Sequence, residues 1–108
     1  MPVDFVAMGQ FADRMIRSAL QALLEGDASL AALIREMDDE IDRMNHHSHD
    51  NLLRFIQKKP RYAKQAITGI LVAKNLERIA DHTSNIASEV IFWIRATDVR
   101  HQLPAPVD

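Results

Sequence analysis

The chain contains no cysteine, which excludes a disulfide framework, a cysteine-ligated zinc site and a thiol nucleophile. Helix breakers are also scarce, with 3 glycines and 4 prolines in 108 residues, and two of those prolines, Pro104 and Pro106, stand near the C-terminal end. So few breakers leave room for long uninterrupted helices. No apolar run approaches the roughly 20 residues needed to span a bilayer, and no secretory leader is visible. The expected location is therefore cytoplasmic, with the chain not embedded in a membrane. A basic excess is missing too: the formal net charge of −2 argues against a nucleic-acid binder. What remains is 47% hydrophobic and 26% charged, the composition of a soluble globular chain. Its length suits one domain, or half of a two-repeat protein.

Three helical segments emerge from the apolar periodicity. The first runs from about Val3 to Glu25, with Phe5, Met8, Ala12, Met15, Ala19 and Leu23 spaced three and four apart. Gly26 and Asp27 end it, glycine being the usual residue just past a helix and aspartate a good N-cap for the next. The second runs from about Ala28 to Lys58 through Ile34, Met37, Ile41, Met44, Ser48, Leu52 and Phe55, and Pro60 stops it by pushing the preceding residue out of helical geometry. The third runs from about Arg61 to Ala96. Residues 1–101 are thus expected to form an all-α, antiparallel three-helix bundle of up-down-up order, and residues 102–108 a flexible tail. A repeat near seven residues predicts gentle left-handed, coiled-coil-like packing.

Two acid pairs stand out. Asp38 and Asp42 lie four apart on the second segment, and Glu77 and Asp81 four apart on the third. Residues at that spacing share a helix face, where like charges repel by a few tenths of a kcal/mol (roughly) unless a cation offsets them. Asp38 and Asp42 border the apolar stripe of their helix, and Asn45 and His49 continue the polar line. On the third segment the expected buried arc takes in Val72, Leu76, Ile79, Thr83, Ile86, Val90 and Trp93, edged by Ala73, Ala80 and Ala87. Glu77, Asp81 and Ser88 lie just outside that edge, with Asn85 and Glu89 further round. Carboxylates so placed suit hard or borderline divalent and trivalent ions. The competing reading is a solvated surface in which Arg35, Lys74 and Arg78, each three residues before an acid, neutralise Asp38, Glu77 and Asp81. Spacing alone leaves both open.

The run Leu76-Glu77-Arg78-Ile79-Ala80-Asp81-His82, followed by Asn85-Ile86-Ala87, resembles the signature of the PhoU family of bacterial phosphate-signalling regulators. Met37-Asp38-Asp39-Glu40-Ile41-Asp42 resembles the family's matching acid motif, and Val90-Ile91-Phe92-Trp93-Ile94 with Asp98-Val99-Arg100-His101 the end of the same repeat. The resemblance implies metal ligation by Asp38, Asp42, Glu77 and Asp81, of ions such as iron, zinc, manganese or magnesium. It further implies negative regulation by contacts with a phosphate ABC transporter ATPase and a sensor histidine kinase, without enzyme activity, catalytic residues or an organic cofactor. The chain departs from the family in carrying one repeat where two are usual, in having Ser88 where a glutamate is usual, and in the run Asn45-His46-His47-Ser48-His49.

Other residues carry weaker signals. His46, His49, His82 and Glu89 stand close enough in sequence to extend a metal site, although for the three histidines an exposed polar face is the better account. Met8, Met15, Met37 and Met44 fall at core spacing. Lys58, Lys59, Arg61 and Lys64 cluster round the second turn. The alternative function is a metal-dependent all-α nucleotide pyrophosphatase, but the Glu-x-x-Glu pair typical of such sites is absent. The Glu-x-x-His of a di-iron bundle is absent too. Part of the wide apolar arc on the third segment lacks a partner within one repeat, which predicts a homodimer that rebuilds a two-repeat arrangement.

Overall fold

A computed structural model of the chain describes residues 3–102. Within them α1 spans Phe5–Glu25, α2 Ala28–Lys58 and α3 Ala63–Gln102, with a 3₁₀ turn at Pro60–Tyr62 before α3 and no strand among the described residues. The fold is all-α, and each helix packs against the other two. The molecule is long and thin, 71 × 21 × 16 Å, because helices of this length span roughly 30 to 60 Å at 1.5 Å per residue.

The boundaries follow local chemistry. Asp4 caps α1 by accepting from the Ala7 amide at 2.9 Å, and Asp27 caps α2 by accepting from the Leu30 amide at 3.0 Å. Between them Gly26 takes the left-handed conformation, φ 65°, which glycine adopts without the Cβ penalty of other residues. Lys59 is pushed to φ −134°, ψ 74° ahead of Pro60, and Tyr62 stacks on Phe55 across the turn with centroids 5.9 Å apart. The expected end of the third helix near Ala96 is too early. α3 continues to Gln102, since no glycine or proline interrupts residues 97–102. Gln102, placed in the tail by sequence, is therefore helical, and the rest of the predicted tail lies outside the described residues.

Small residues dominate the core. Of its buried apolar side chains, Ala12, Ala19, Ala22, Ala31, Ala66, Ala73, Ala80 and Ala87 outnumber the larger Met8, Met15, Ile34, Ile41, Leu52 and Val90. Gly69 extends this line on α3: a Cβ there would stand 3.1 Å from the Phe5 ring and 3.3 Å from Leu52 Cδ1. The two buried hydroxyls are satisfied within their own helices, Ser48 donating to the Met44 carbonyl at 2.8 Å and Thr83 to the Ile79 carbonyl at 2.7 Å.

This arrangement corrects the expected face of α3 in part: Thr83 and Val90 are buried as expected, but the arc is centred elsewhere. The sequence pattern predicts Val72, Ile79, Ile86 and Trp93 in the buried arc, with Ala73, Ala80 and Ala87 at its edge. In the structure the alanines are fully buried at the centre of the inward face and the four large side chains are exposed. The inward face is the one that lets the backbones approach closely, and apolar periodicity alone does not distinguish it from a parallel apolar stripe one residue away. Met37 and Met44, expected in the core stripe of α2, are only half-buried.

The corrected register has a measurable consequence. Ala80→Leu puts a large side chain where helix backbones meet, and overpacking of that kind costs about 1–3 kcal/mol. Asn85→Leu on the exposed side of α3 changes stability by under about 0.5 kcal/mol. Urea unfolding followed by circular dichroism measures both, and equal tolerance of the two substitutions contradicts the alanine-centred face.

Candidate metal centre

The polar line beside the core of α2 meets α3 near the middle of the molecule. Asp38 and Asp42 project from successive turns of α2, and Asp81 from α3. Each offers one carboxylate oxygen, and the three oxygens lie within 4.8 Å of one another. Two oxygens on opposite sides of a cation with metal–oxygen distances of about 2.3–2.6 Å are separated by about 5 Å, so the triad has the size of an oxygen-ligated ion. Asp38 and Asp42 are half-buried and Asp81 is exposed, which leaves the open side to solvent and further ligands.

None of the three acids takes part in an ion pair among the described residues. Burial, followed by the charges of Asp81 and Asp42, pushes the Asp38 carboxyl up to about 6. Burial first, then Asp81 and Asp39, also raises Asp42, while His46 pulls it back. Asp38 Oδ1 is buried without a hydrogen-bond partner, a costly state for an ionised oxygen. A proton held by Asp38 allows a hydrogen bond to Asp81, and a cation would satisfy the same oxygen. The surface alternative, in which Arg35, Lys74 and Arg78 neutralise the acids, is not formed. The ion pairs among the described residues are Arg17–Asp13 and Arg43–Glu40.

Three of the four acids singled out in the sequence thus converge, and the fourth is turned aside. Glu77 is half-buried and accepts a hydrogen bond from the side-chain amide of Asn45. It lines a cleft of about 320 Å³ with His46, His49, Ile70, Ala73 and Lys74. It also borders a second cavity together with Arg78 and Asp81, so it stands one helical turn from the triad. His46 lies near enough to Asp42 to affect it, and His49 faces the Glu77 cleft. His82 and Glu89 are exposed and are not part of the triad. Two participants escaped the sequence reading. Asp39 adds charge to both Asp38 and Asp42, and Ser84 lines the shallow cavity beside Asp38. The spacing of three between Asp81 and Ser84 was the available signal for the latter.

The pH dependence of the metal-free protein tests this electrostatic picture. A folded-state pKa near 6 for Asp38 lies above the unfolded carboxylate value of about 3.9. Between these values the native state binds more protons, so the group's stabilisation is full below pH ~4 and is lost as pH rises through 6. Asp38→Asn removes the charge and should raise the melting temperature above pH 6 in the presence of a chelator. It should also flatten the decline between pH 4 and 6. Scanning calorimetry measures both, and an unchanged pH profile in the variant contradicts the assignment.

Comparison with known proteins adds an independent line. The sequence model of the PhoU domain family matches residues 5–90. The phosphate-specific transport system accessory protein PhoU homologue of Pseudomonas aeruginosa is 35% identical over 99 residues, covering 92% of this chain and 41% of that protein. The protein of the same description from Pseudomonas putida is 36% identical, covering 92% and 39%. The one from Caulobacter vibrioides is 30% identical over 97 residues, covering 90% and 42%. The chain therefore spans about two fifths of the length of these relatives. No solved structure matches it. The family match runs from the start of α1 to residue 90 of α3, past all four of the paired acids, and the chain belongs to the PhoU domain family.

Proposed function

We propose that this chain is a metal-binding regulatory protein of phosphate uptake that acts through protein contacts and not by catalysis. The observation that carries the metal reading is the Asp38–Asp42–Asp81 triad with its unpartnered buried Oδ1. Oxygen-only ligands and partial exposure suit magnesium, manganese, zinc or iron. Glu77, released from Asn45, supplies a fourth carboxylate one turn along α3. Ion binding offsets the repulsion among the acids and ties α2 to α3, so metal occupancy stiffens the face that a partner meets.

The regulatory reading rests on the family and on relatives described as accessory proteins of phosphate-specific transport. The partners proposed are the ATPase of a phosphate transporter and a sensor histidine kinase, met in the cytoplasm. No helix among the described residues is long and apolar enough to cross a membrane, which is compatible with such a peripheral role. The contact of Ser48 with Met8 and that of Asn45 with Glu77 support an up-down-up order, with α2 antiparallel to both neighbours. A second copy of the chain is proposed to complete the assembly.

Elemental analysis tests the metal reading. Protein exposed to iron, zinc, manganese and magnesium should retain one of them stoichiometrically, and Asp42→Asn combined with Asp81→Asn should lose it. Wild-type protein that retains no metal from any of these solutions ends the metal reading. Turnover of nucleoside triphosphates with Mg²⁺ or Mn²⁺, abolished by Glu77→Gln, ends the non-catalytic one.

A further inference from the structure

The formal net charge of −2 conceals a segregation of charge. Residues 51–76 carry Arg54, Lys58, Lys59, Arg61, Lys64 and Lys74 and no aspartate or glutamate. Six of the 13 basic residues and none of the 15 acidic ones therefore fall in that segment. The fold gathers it at one end of the molecule, where the last turns of α2, the 3₁₀ turn and the first turns of α3 occupy about 20 Å of the rod. All six cations are exposed, and none takes part in an ion pair among the described residues. Asp4 of α1 stands towards the same end, next to the Phe5 ring that meets Gly69, but its side chain caps α1 through the Ala7 amide. At the turn Tyr62 stacks on Phe55, and the Arg61 guanidinium lies 4.8 Å over the Tyr62 ring. On α3, Lys64, Ile67, Leu71 and Lys74 follow at i, i+3, i+7 and i+10 and so share one face. Ile67 is 53% exposed and Leu71 56%, which makes that face an apolar step with a cation one turn to either side.

We propose that this end docks an acidic amphipathic helix of another protein, its apolar side chains seated on Ile67 and Leu71 and its carboxylates on Lys64 and Lys74. The proposal gives a surface to the protein contacts of the proposed function and rests on that part of it, not on metal occupancy of the Asp38–Asp42–Asp81 triad. Charge complementarity selects the partner. Unpaired cations with no acid among them hold a positive potential that draws an acidic segment in and orients it. Ile67 and Leu71 stand at i and i+4, the spacing at which a docked helix presents its own apolar anchors. Lys64 and Lys74 are about 15 Å apart along α3, so carboxylates about ten residues apart on such a helix reach both. Arg61 is already held over Tyr62 and loses little side-chain freedom on pairing, and its planar fork suits a carboxylate. The exposed aliphatic pair at the centre of the cationic face separates this partner from a phosphate backbone, which offers apolar groups nothing. A flat bilayer would meet either the cations of the turn or the ridge along α3, whereas a helix lying along α3 reaches both.

Fluorescence anisotropy tests the proposal, with the full chain, a chelator and a labelled helical peptide that carries leucines at i and i+4 flanked by glutamates. Circular dichroism checks the fold of each variant. Wild-type protein should bind the peptide with an affinity that falls as salt rises. Lys64→Glu combined with Lys74→Glu should weaken binding at least about tenfold. Arg14→Glu combined with Arg95→Glu makes the same charge change at exposed positions elsewhere and should leave binding within about twofold of wild type. Ile67→Ser combined with Leu71→Ser should erase the preference for this peptide over one with glutamine in place of the leucines. Absence of binding by the wild type overturns the surface and leaves the regulatory reading, whose own test is turnover, standing. Equal losses in the two charge-reversed pairs overturn it as well, since attraction is then unlocalised. Tighter binding to duplex DNA or to phosphatidylglycerol vesicles, lost with the same two lysines, overturns the choice of partner.

Discussion

The close approach of α3 to its neighbours along Ala66, Gly69, Ala73, Ala80 and Ala87 controls nearly everything else in this molecule. Alanine contributes little side-chain volume, so helices meeting on alanine come nearer than helices meeting on leucine or isoleucine. Each helix is then held to a narrow range of rotation about its axis. Once that rotation is set, every other residue of α3 has its place. Glu77 and Asp81 fall towards α2, where Asn45 and the Asp38–Asp42 pair are found. Val72, Ile79, Ile86 and Trp93 fall on the outer side and remain exposed.

Rotation also explains the unusual electrostatics. Asp38 stands next to the core of α2, with one oxygen buried and unpartnered, and α3 brings Asp81 against it. Burial, together with the nearby charges of Asp81 and Asp42, makes Asp38 hold its proton up to about pH 6, and above that the like charges stand together without a cationic partner. Such an arrangement is poor for the stability of the bare chain and well suited to capture a cation. Its position on the seam between two helices means that an ion bound there would touch both and would bear directly on the relative placement of α2 and α3.

The thinness of the molecule ties the acid seam to the apolar face. With few large residues fully buried, three long helices enclose a slender core, and an alanine-rich interior contributes little hydrophobic stabilisation per residue at about 25 cal/mol per Å². The apolar area missing from the interior is present outside, on α3 and α1. The acid seam lies between α2 and α3, while the apolar stripe lies on the other side of α3, towards α1.

Much of this was legible in the sequence. The end of α1 and both ends of α2 are written in Gly26, Asp27 and Pro60, because caps and breakers act over a turn or less and need no tertiary partner; the Asp4 cap of α1 came from the structure. The all-α class follows from sparse breakers and a 3.6-residue period, and the candidate acids from i, i+4 spacing. Those features depend on backbone geometry that any helix imposes. Which face of α3 turns inward was decided only by the tertiary structure. Two adjacent stripes, one of alanine and one of large apolar residues, satisfy the same periodicity, and only the space between packed helices chooses the smaller. The same packing sent Asp81 to join Asp38 and Asp42 and Glu77 to Asn45. It did so because residues one turn apart on α3 meet different rows of α2, a difference of a few ångströms that no spacing within one helix encodes.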